Sequence, residues 1–273
     1  MIHLVVAIPC EARPLLEHFA LRALSRGPFR LYEGEGMRLI ISGAGKASAA
    51  AAVAWLAGRH PEAAPCAWLN VGTAGHALRP LGQGLLAHKV SDAASGTNWY
   101  PTRLFTAPVE GDSLLTVDRP ELEYVHAAAY EMEAAGFCGA AGRFAPWELI
   151  HCYKVISDNR HSPAHHISED FVRELMTENL TAIAAVVAEL RVLTDELATL
   201  EAQPPLQAWM LARWRFSQTQ QRQLQRLLQR HGALRQNEQA LQEALRFCTT
   251  AKTALACLRG RVEDAALDGA AGP

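Results

Sequence analysis

Leu4-Val5-Val6-Ala7-Ile8 is an unbroken apolar run near the start of the chain. A strand with one wet face alternates apolar and polar residues. A run without alternation suits a strand buried on both faces, which needs helices on either side of its sheet. The next residues supply them. Leu15, Leu16, Phe19 and Ala23 recur at helical spacing and predict a helix over 11–24. Residues 29–33 and 37–42 read as a hairpin around Gly34-Glu35-Gly36, and Gly43-Ala44-Gly45 leads into an alanine-rich helix over 46–58.

The alternation continues. A second apolar strand over 66–71 is closed by a Gly72-Thr73-Ala74-Gly75 turn. Strands follow over 85–90 and 114–117. Residues 127–132 run straight into a helix over 133–141, and a strand over 149–156 ends at Ser157-Asp158. Ser168 then caps a long amphipathic helix carrying Phe171, Leu175, Ile183, Val186, Val187 and Leu190. Buried strands alternating with helices predict an α/β domain with helices on both faces of one sheet.

Composition divides the 273 residues in two. Residues 1–202 hold 16 Lys+Arg against 23 Asp+Glu, a net of -7, whereas 203–262 hold 10 against 2, a net of +8. The change follows Gln203-Pro204-Pro205. Beyond it, Ser217-x-x-Gln220 has the form of a capping box, Gly232 fits a helix stop, and 234–258 repeats Leu at helical spacings. We read a domain at 1–202 and a Gln/Arg-rich helical hairpin within 203–273. Arg213 and Arg215 lie among Trp209, Trp214 and Phe216, a pattern that base stacking or packing against the α/β domain would equally produce; packing is preferred, so nucleic acid is disfavoured as a partner of the tail.

Other classes are excluded or disfavoured. The overall charge of -2 argues against a generally basic nucleic-acid binder. Cys10, Cys66, Cys138, Cys152, Cys248 and Cys257 form no C-x-x-C pair, which excludes zinc ribbons and suits a reducing compartment. No basic segment precedes the first apolar run, and the longest small-apolar stretch, 39–58, is broken by Lys46. A soluble cytoplasmic chain is therefore expected, with no membrane association. His161, His165 and His166 lie together in a polar loop, with no paired spacing elsewhere to make a metal site, and neither metal nor cofactor is expected.

In open α/β sheets, ligands collect beyond the carboxyl ends of strands, and Glu11, Thr73, Glu133 and Asp158 fall at or just past such ends. Each has a plainer reading as well. Glu11 and Glu133 suit the first turn of a helix, and Asp158 suits a cap or Asx-turn. Gly43-Ala44-Gly45-Lys46 could offer backbone N–H groups to an anion, or could simply let helix and sheet approach closely.

In order along the chain, Glu11, Gly43-Ala-Gly-Lys46, Asn70-Val-Gly-Thr-Ala-Gly75, Glu131-Met-Glu-Ala-Ala135 and Ile156-Ser-Asp158 resemble the purine nucleoside phosphorylase superfamily, and most of all its methylthioadenosine/S-adenosylhomocysteine nucleosidase branch. The resemblance covers about 1–192. It implies a three-layer α/β/α phosphorylase-like sandwich with a mixed central sheet, and a homodimer. It implies an enzyme that hydrolyses an adenosine-type nucleoside to adenine. Asp158 matches the acid that protonates purine N7, Glu133 the carboxylate on the ribose hydroxyls, and Glu11 the base that activates water. Met132, Glu131, Thr73, Ser157, Gly72 and Lys154 match substrate-binding positions; Thr73 replaces a usual serine, and Lys154 stands where arginine is common. The segment between Asp92 and Tyr130 is shorter than the family's, leaving Trp99, Tyr100 and Phe105 as aromatic residues to stack on a base. Two alternatives remain at this level. One is a phosphorylase using Lys46 or Arg13 for phosphate; the other is a catalytically degenerate nucleoside-binding module whose tail docks a partner.

Overall fold

Strand β1 (Ile2–Val6) is buried along its whole length, as its uniform apolarity requires. It leads into α1 (Pro9–His18) in a computed structural model that describes residues 1–24, 27–59, 65–162, 167–201, 205–234 and 236–270. The chain divides into two units, Met1–Glu196 and Leu197–Pro273. In the first, β2 (Arg22–Ala23), β3 (Arg30–Gly34) and β4 (Met37–Ile41) precede α2 (Lys46–Arg59) and β5 (Ala67–His76). Next come β6 (Gly84–Asp92), β7 (Asn98–Trp99), β8 (Glu110–Thr116), β9 (Ala129–Glu131) and α3 (Ala134–Ala141). Strand β10 (Ile150–Asp158) and helices α4 (Glu169–Glu178) and α5 (Leu180–Glu201) complete the run.

The strands form one mixed sheet whose hub is β5. It pairs in parallel with β1 and β10, and its last residues pair antiparallel with β9. Because β10 also pairs with β6, β6 with β8 and β8 with β9, five strands close into a ring, from which β1, β4, β3 and β2 extend as an open sheet. Val5 and Ile40 join α2 and α3 in one apolar cluster with Trp68 and Phe137. Their neighbours Leu4 and Leu39 point to the opposite face and are buried too, so helices cover both faces of an α/β/α arrangement.

Three local readings are corrected. The helix predicted over 11–24 stops at His18, because Ala20 takes a left-handed φ of 52° and Arg22–Ala23 turns out to pair with β3. Gly72-Thr73-Ala74-Gly75 is not a turn but the interior of β5. Its glycines lie beneath other side chains: a Cβ on Gly72 would stand 3.0 Å from Glu11 Oε1, and one on Gly75 would overlap Asp158 Oδ2. The long helix after Ser168 is broken at Asn179. The Asn179 side chain accepts from Tyr153 OH at 2.8 Å, and its amide donates to Gly82 O at 3.0 Å and Leu175 O at 2.9 Å.

The second unit contains α6 (Pro205–Arg213), α7 (Gln218–Ala233), α8 (Glu238–Leu245) and α9 (Ala251–Ala270). The Ser217 capping box forms as read: Gln220 N donates to Ser217 Oγ, and Ser217 N donates to Gln220 Oε1. The second arm of the expected hairpin is divided between α8 and α9, and Thr250 Oγ1 accepts from Thr253 N at the new helix start. Trp214 and Phe216, expected against the α/β domain, are buried with Met210, Leu224 and Leu258 in this unit's own core. Arg213 lies 5.6 Å over the Trp209 ring and 5.5 Å over that of Trp214, a placement that gains from the ring quadrupoles.

Asn179→Ala strips the buried Tyr153 hydroxyl of its acceptor. An unsatisfied buried hydroxyl costs about 1–3 kcal/mol, so thermal denaturation is expected to show a Tm lower by several degrees, about 2–4 °C per kcal/mol. An unchanged Tm would show that this hydrogen bond does not hold the α4–α5 break.

Candidate active site

The carboxyl ends of β1, β8, β9 and β10 and the middle of β5 meet at a cleft of about 190 Å³. Glu11, Thr73, Glu131, Met132, Glu133, Ser157 and Asp158, all singled out from sequence, line it. Two others do not. Gly72 lies beneath Glu11, and Lys154 is fully buried behind the carboxylates, so its match to a substrate-binding position is corrected to a position under the site. Its ammonium sits 3.0 Å from Glu131 Oε2 and 3.8 Å from Glu133 Oε2.

Glu11 projects from the first turn of α1 and is buried. Its Oε1 accepts from Thr73 N at 2.8 Å and from Thr73 Oγ1 at 2.9 Å. Burial pushes its carboxyl above the ordinary carboxylate range; Lys154 and the Thr73 hydrogen bonds oppose the shift, and Glu133 adds to it. For Lys154 the balance runs the other way. Burial alone would lower the ammonium's pKa, but Glu131, Glu133 and Glu11 together hold it above the ordinary lysine value. The lysine therefore stays charged among the carboxylates.

Glu131 and Glu133 divide two roles, and the plainer helix-terminus reading of Glu133 belongs to Glu131. Glu131 Oε2 accepts from Glu133 N at 2.9 Å and Ala134 N at 2.7 Å, which caps α3. Its Oε1 accepts from Thr116 Oγ1. Glu133, read as the helix-terminal residue, instead reaches across to α2, where its Oε1 accepts from Gly45 N at 2.7 Å. The Gly43-Ala44-Gly45 turn does hold an anion, as its two positive-φ glycines allow, and that anion is the chain's own carboxylate. Lys46 does not face the cleft; it bridges Asp92 at 2.8 Å and Asp118 at 2.9 Å. Arg13 pairs with Glu17 on the surface.

At the far end of the cleft, Asp158 follows a register irregularity in the β10–β5 ladder and lies opposite Gly75. Ser157 Oγ donates to its Oδ1 at 2.6 Å, and Tyr124 OH donates to Oδ2. Neither the cap nor the Asx-turn reading applies to this side chain.

Trp99, Tyr100 and Phe105 do not line the cleft. Trp99 packs on the core cluster, Tyr100 is exposed, and Phe105 lies edge-on to His151. Tyr130 is the aromatic residue that lines the cleft among the described residues. Sequence reasoning also passed over Thr116 and Tyr124. Thr116 had a signal, as a hydroxyl ending the apolar run Leu114-Leu115; Tyr124 had none, lying in an aperiodic segment. His161 is exposed, and His165 and His166 lie outside the described residues. Among the described residues, no helix is long and apolar enough to cross a membrane.

No family model and no curated protein matches the chain in sequence. Solved structures do match in fold. The 5′-methylthioadenosine nucleosidase of Arabidopsis thaliana superposes with a TM-score of 0.59 at 15% identity, covering 69% of this chain and 95% of that one. The 5′-methylthioadenosine/S-adenosylhomocysteine nucleosidase of Helicobacter pylori, solved with butyl-thio-DADMe-Immucillin-A, gives 0.56 at 15% identity over 69% and 97% of the two chains. The futalosine hydrolase of Helicobacter pylori gives the same TM-score, identity and coverage. Over about two thirds of its length, the chain shares the fold of these nucleosidases and of the futalosine hydrolase.

Proposed function

We propose that the chain is a purine nucleosidase that hydrolyses the N-glycosidic bond of an adenosine-type nucleoside and releases adenine. The observation that carries this reading is the meeting of Glu11, Glu133 and Asp158 in one cleft. N-glycosidic cleavage develops an oxocarbenium-like sugar and a basic leaving group. It needs an acid at the base, a carboxylate beside the cation and a nucleophile. Asp158 is the acid, donating to purine N7. Glu133 holds the ribose hydroxyls and faces the developing charge, with Met132 packed on the sugar. Glu11 takes the proton from the attacking water, a role helped by a carboxyl that is more basic than usual. Glu131 and Lys154 act from behind, the lysine ammonium lying 3.0 Å from Glu131 Oε2 and 3.8 Å from Glu133 Oε2. The hydrolytic activity of the fold neighbours, all named as nucleosidases or a hydrolase, supports the same class.

Water is favoured over phosphate on charge. The acidic residues Glu11, Glu121, Glu131, Glu133 and Asp158 line the cleft, and no Lys or Arg does among the described residues. The two cations considered for phosphate are bound elsewhere, and the Gly43–Gly45 amide is taken by Glu133. The same reading carries a cytoplasmic homodimer whose extension, 203–273, is separate from its 1–202 core.

Phosphate should leave the rate of base release from an adenosine-type nucleoside unchanged, and the sugar product should be free ribose or its derivative. Chromatographic detection of a sugar 1-phosphate would overturn hydrolysis. Asp158→Asn and Glu133→Gln should each lower turnover by about 10²–10⁴-fold with the fold retained. If circular dichroism and Tm show an intact Asp158→Asn protein with full activity, Asp158 is not the acid.

Glu11 separates stability from activity. A carboxyl whose folded-state pKa is raised favours folding while protonated, and that contribution is lost as pH rises through the folded value. Glu11→Gln keeps an acceptor for Thr73 and removes the buried charge. Its Tm should match or exceed wild type near pH 8, and the advantage should shrink as pH falls towards about 4, while base release is lost throughout. An advantage over wild type that is larger at low pH than at high would contradict the sign.

A further inference from the structure

Ala20 and Tyr124 are the non-glycine residues at positive φ among the described residues, with Tyr124 at 49°. A bulky side chain takes that conformation only where its surroundings force it, and such outliers gather at functional sites. Several contacts on the 117–128 segment do the forcing. Lys46 holds Asp118 at 2.9 Å, His126 N donates to Tyr130 OH at 2.7 Å, and Arg160 Nη2 donates to the Tyr124 carbonyl at 3.0 Å. The Tyr124 ring packs edge-on to Tyr130, 5.9 Å between centroids.

The result is a fully buried phenol that donates to Asp158 Oδ2 but does not line the cleft, whereas Asp158 does. Tyr124 therefore reaches the carboxyl from the core side. The approach depends on Gly75, where a Cβ would overlap Asp158 Oδ2 and stand 2.7 Å from Tyr124 Cε1. The β10–β5 ladder shifts register between Ile156 and Asp158, and Asp158 pairs with Gly75 beyond the shift. The hydroxyls of Ser157 and Tyr124 then hold its carboxyl.

We infer that Tyr124 is a positioning residue for Asp158. It rests on the nucleosidase reading above. By donating to Oδ2 from behind, Tyr124 keeps that oxygen an acceptor and fixes the rotation of the carboxyl. The proton for the base then sits on Oδ1, whose other neighbour, the Ser157 hydroxyl, can rotate to make room. The role differs from that of a group touching substrate: Tyr124 should govern how well the acid is aimed, not how tightly the nucleoside binds.

The test is a double-mutant cycle on adenine release with Tyr124→Phe and Asp158→Asn. Tyr124→Phe keeps the ring and removes only the hydroxyl. A hydrogen bond to a charged group is commonly worth a roughly ten- to hundred-fold effect on rate, so kcat should fall by that factor while KM stays within about threefold. In the Asp158→Asn background the second substitution should cause no further loss, because the group it aims is gone. Additive losses, or a rise in KM with kcat unchanged, would show that Tyr124 acts elsewhere and overturn the proposal. If Asp158→Asn is impaired while Tyr124→Phe matches wild type, only the role of Tyr124 falls. If wild type releases no base from any adenosine-type nucleoside, both readings fall together. Should Tyr124→Phe fail to fold, Arg160→Gln replaces it in the same cycle. Arg160 is exposed and holds the Tyr124 carbonyl, so its loss should lower kcat in the same sense by a smaller factor, again only when Asp158 is present.

Discussion

One buried cation makes the cleft tenable. Glu11, Glu131 and Glu133 are all buried, and carboxylates crowded out of water repel one another and lose their hydration. Lys154 enters from β10 with its charge fully enclosed, nearest to Glu131 and a little farther from Glu133. Breaking a buried pair by removing one partner typically costs about 3–5 kcal/mol, a large share of the stability of an ordinary domain. One lysine faces three carboxyl groups, and Glu11, Glu131 and Glu133 all line the cleft. Under the proposed function, this is where a cationic sugar would develop.

Around that ion cluster, each carboxylate is also tied to backbone. Glu131 closes the start of α3, Glu133 meets the amide of Gly45 before α2, and Glu11 takes the amide of Thr73 in β5. Amide donors cost nothing to reorganise, and they fix the orientation of the oxygens. The glycines of β5 serve the same end, because a side chain at 72 or 75 would occupy the space of Glu11 or Asp158.

The fold was legible where strands carry apolar runs, as in β1 and β4, and where helices are periodic. Apart from β2 and β7, the strands of the α/β unit, with α2 and α3, fall close to where apolar runs and periodicity put them. The failures have local causes. Gly72 and Gly75 look like turn formers, since sequence shows a missing side chain but not the foreign carboxylate that fills its place. Asn179 is one polar residue in a good helical pattern, and only the distant Tyr153 and Gly82 explain the break. Within the cleft, the acidic residues stood out by their position after apolar strands. Which of Glu131 and Glu133 caps α3 did not, for both lie within reach of the same junction. Tyr124 was invisible because no propensity marks the left-handed backbone at the residue whose hydroxyl reaches Asp158.

Closure of β5, β10, β6, β8 and β9 into a ring also bears on how the chain behaves among other chains. A ring of strands offers fewer free N–H and C=O groups than an open sheet, here the stretches of β8 and β10 beyond their pairing with β9 and β6. Among the described strands, those paired on one side only are β2 and β7, each two residues long, too short to template an incoming strand. The ring thereby reduces the edge open to strand-by-strand aggregation. Association through side chains depends on surface composition, which can change without disturbing the sheet.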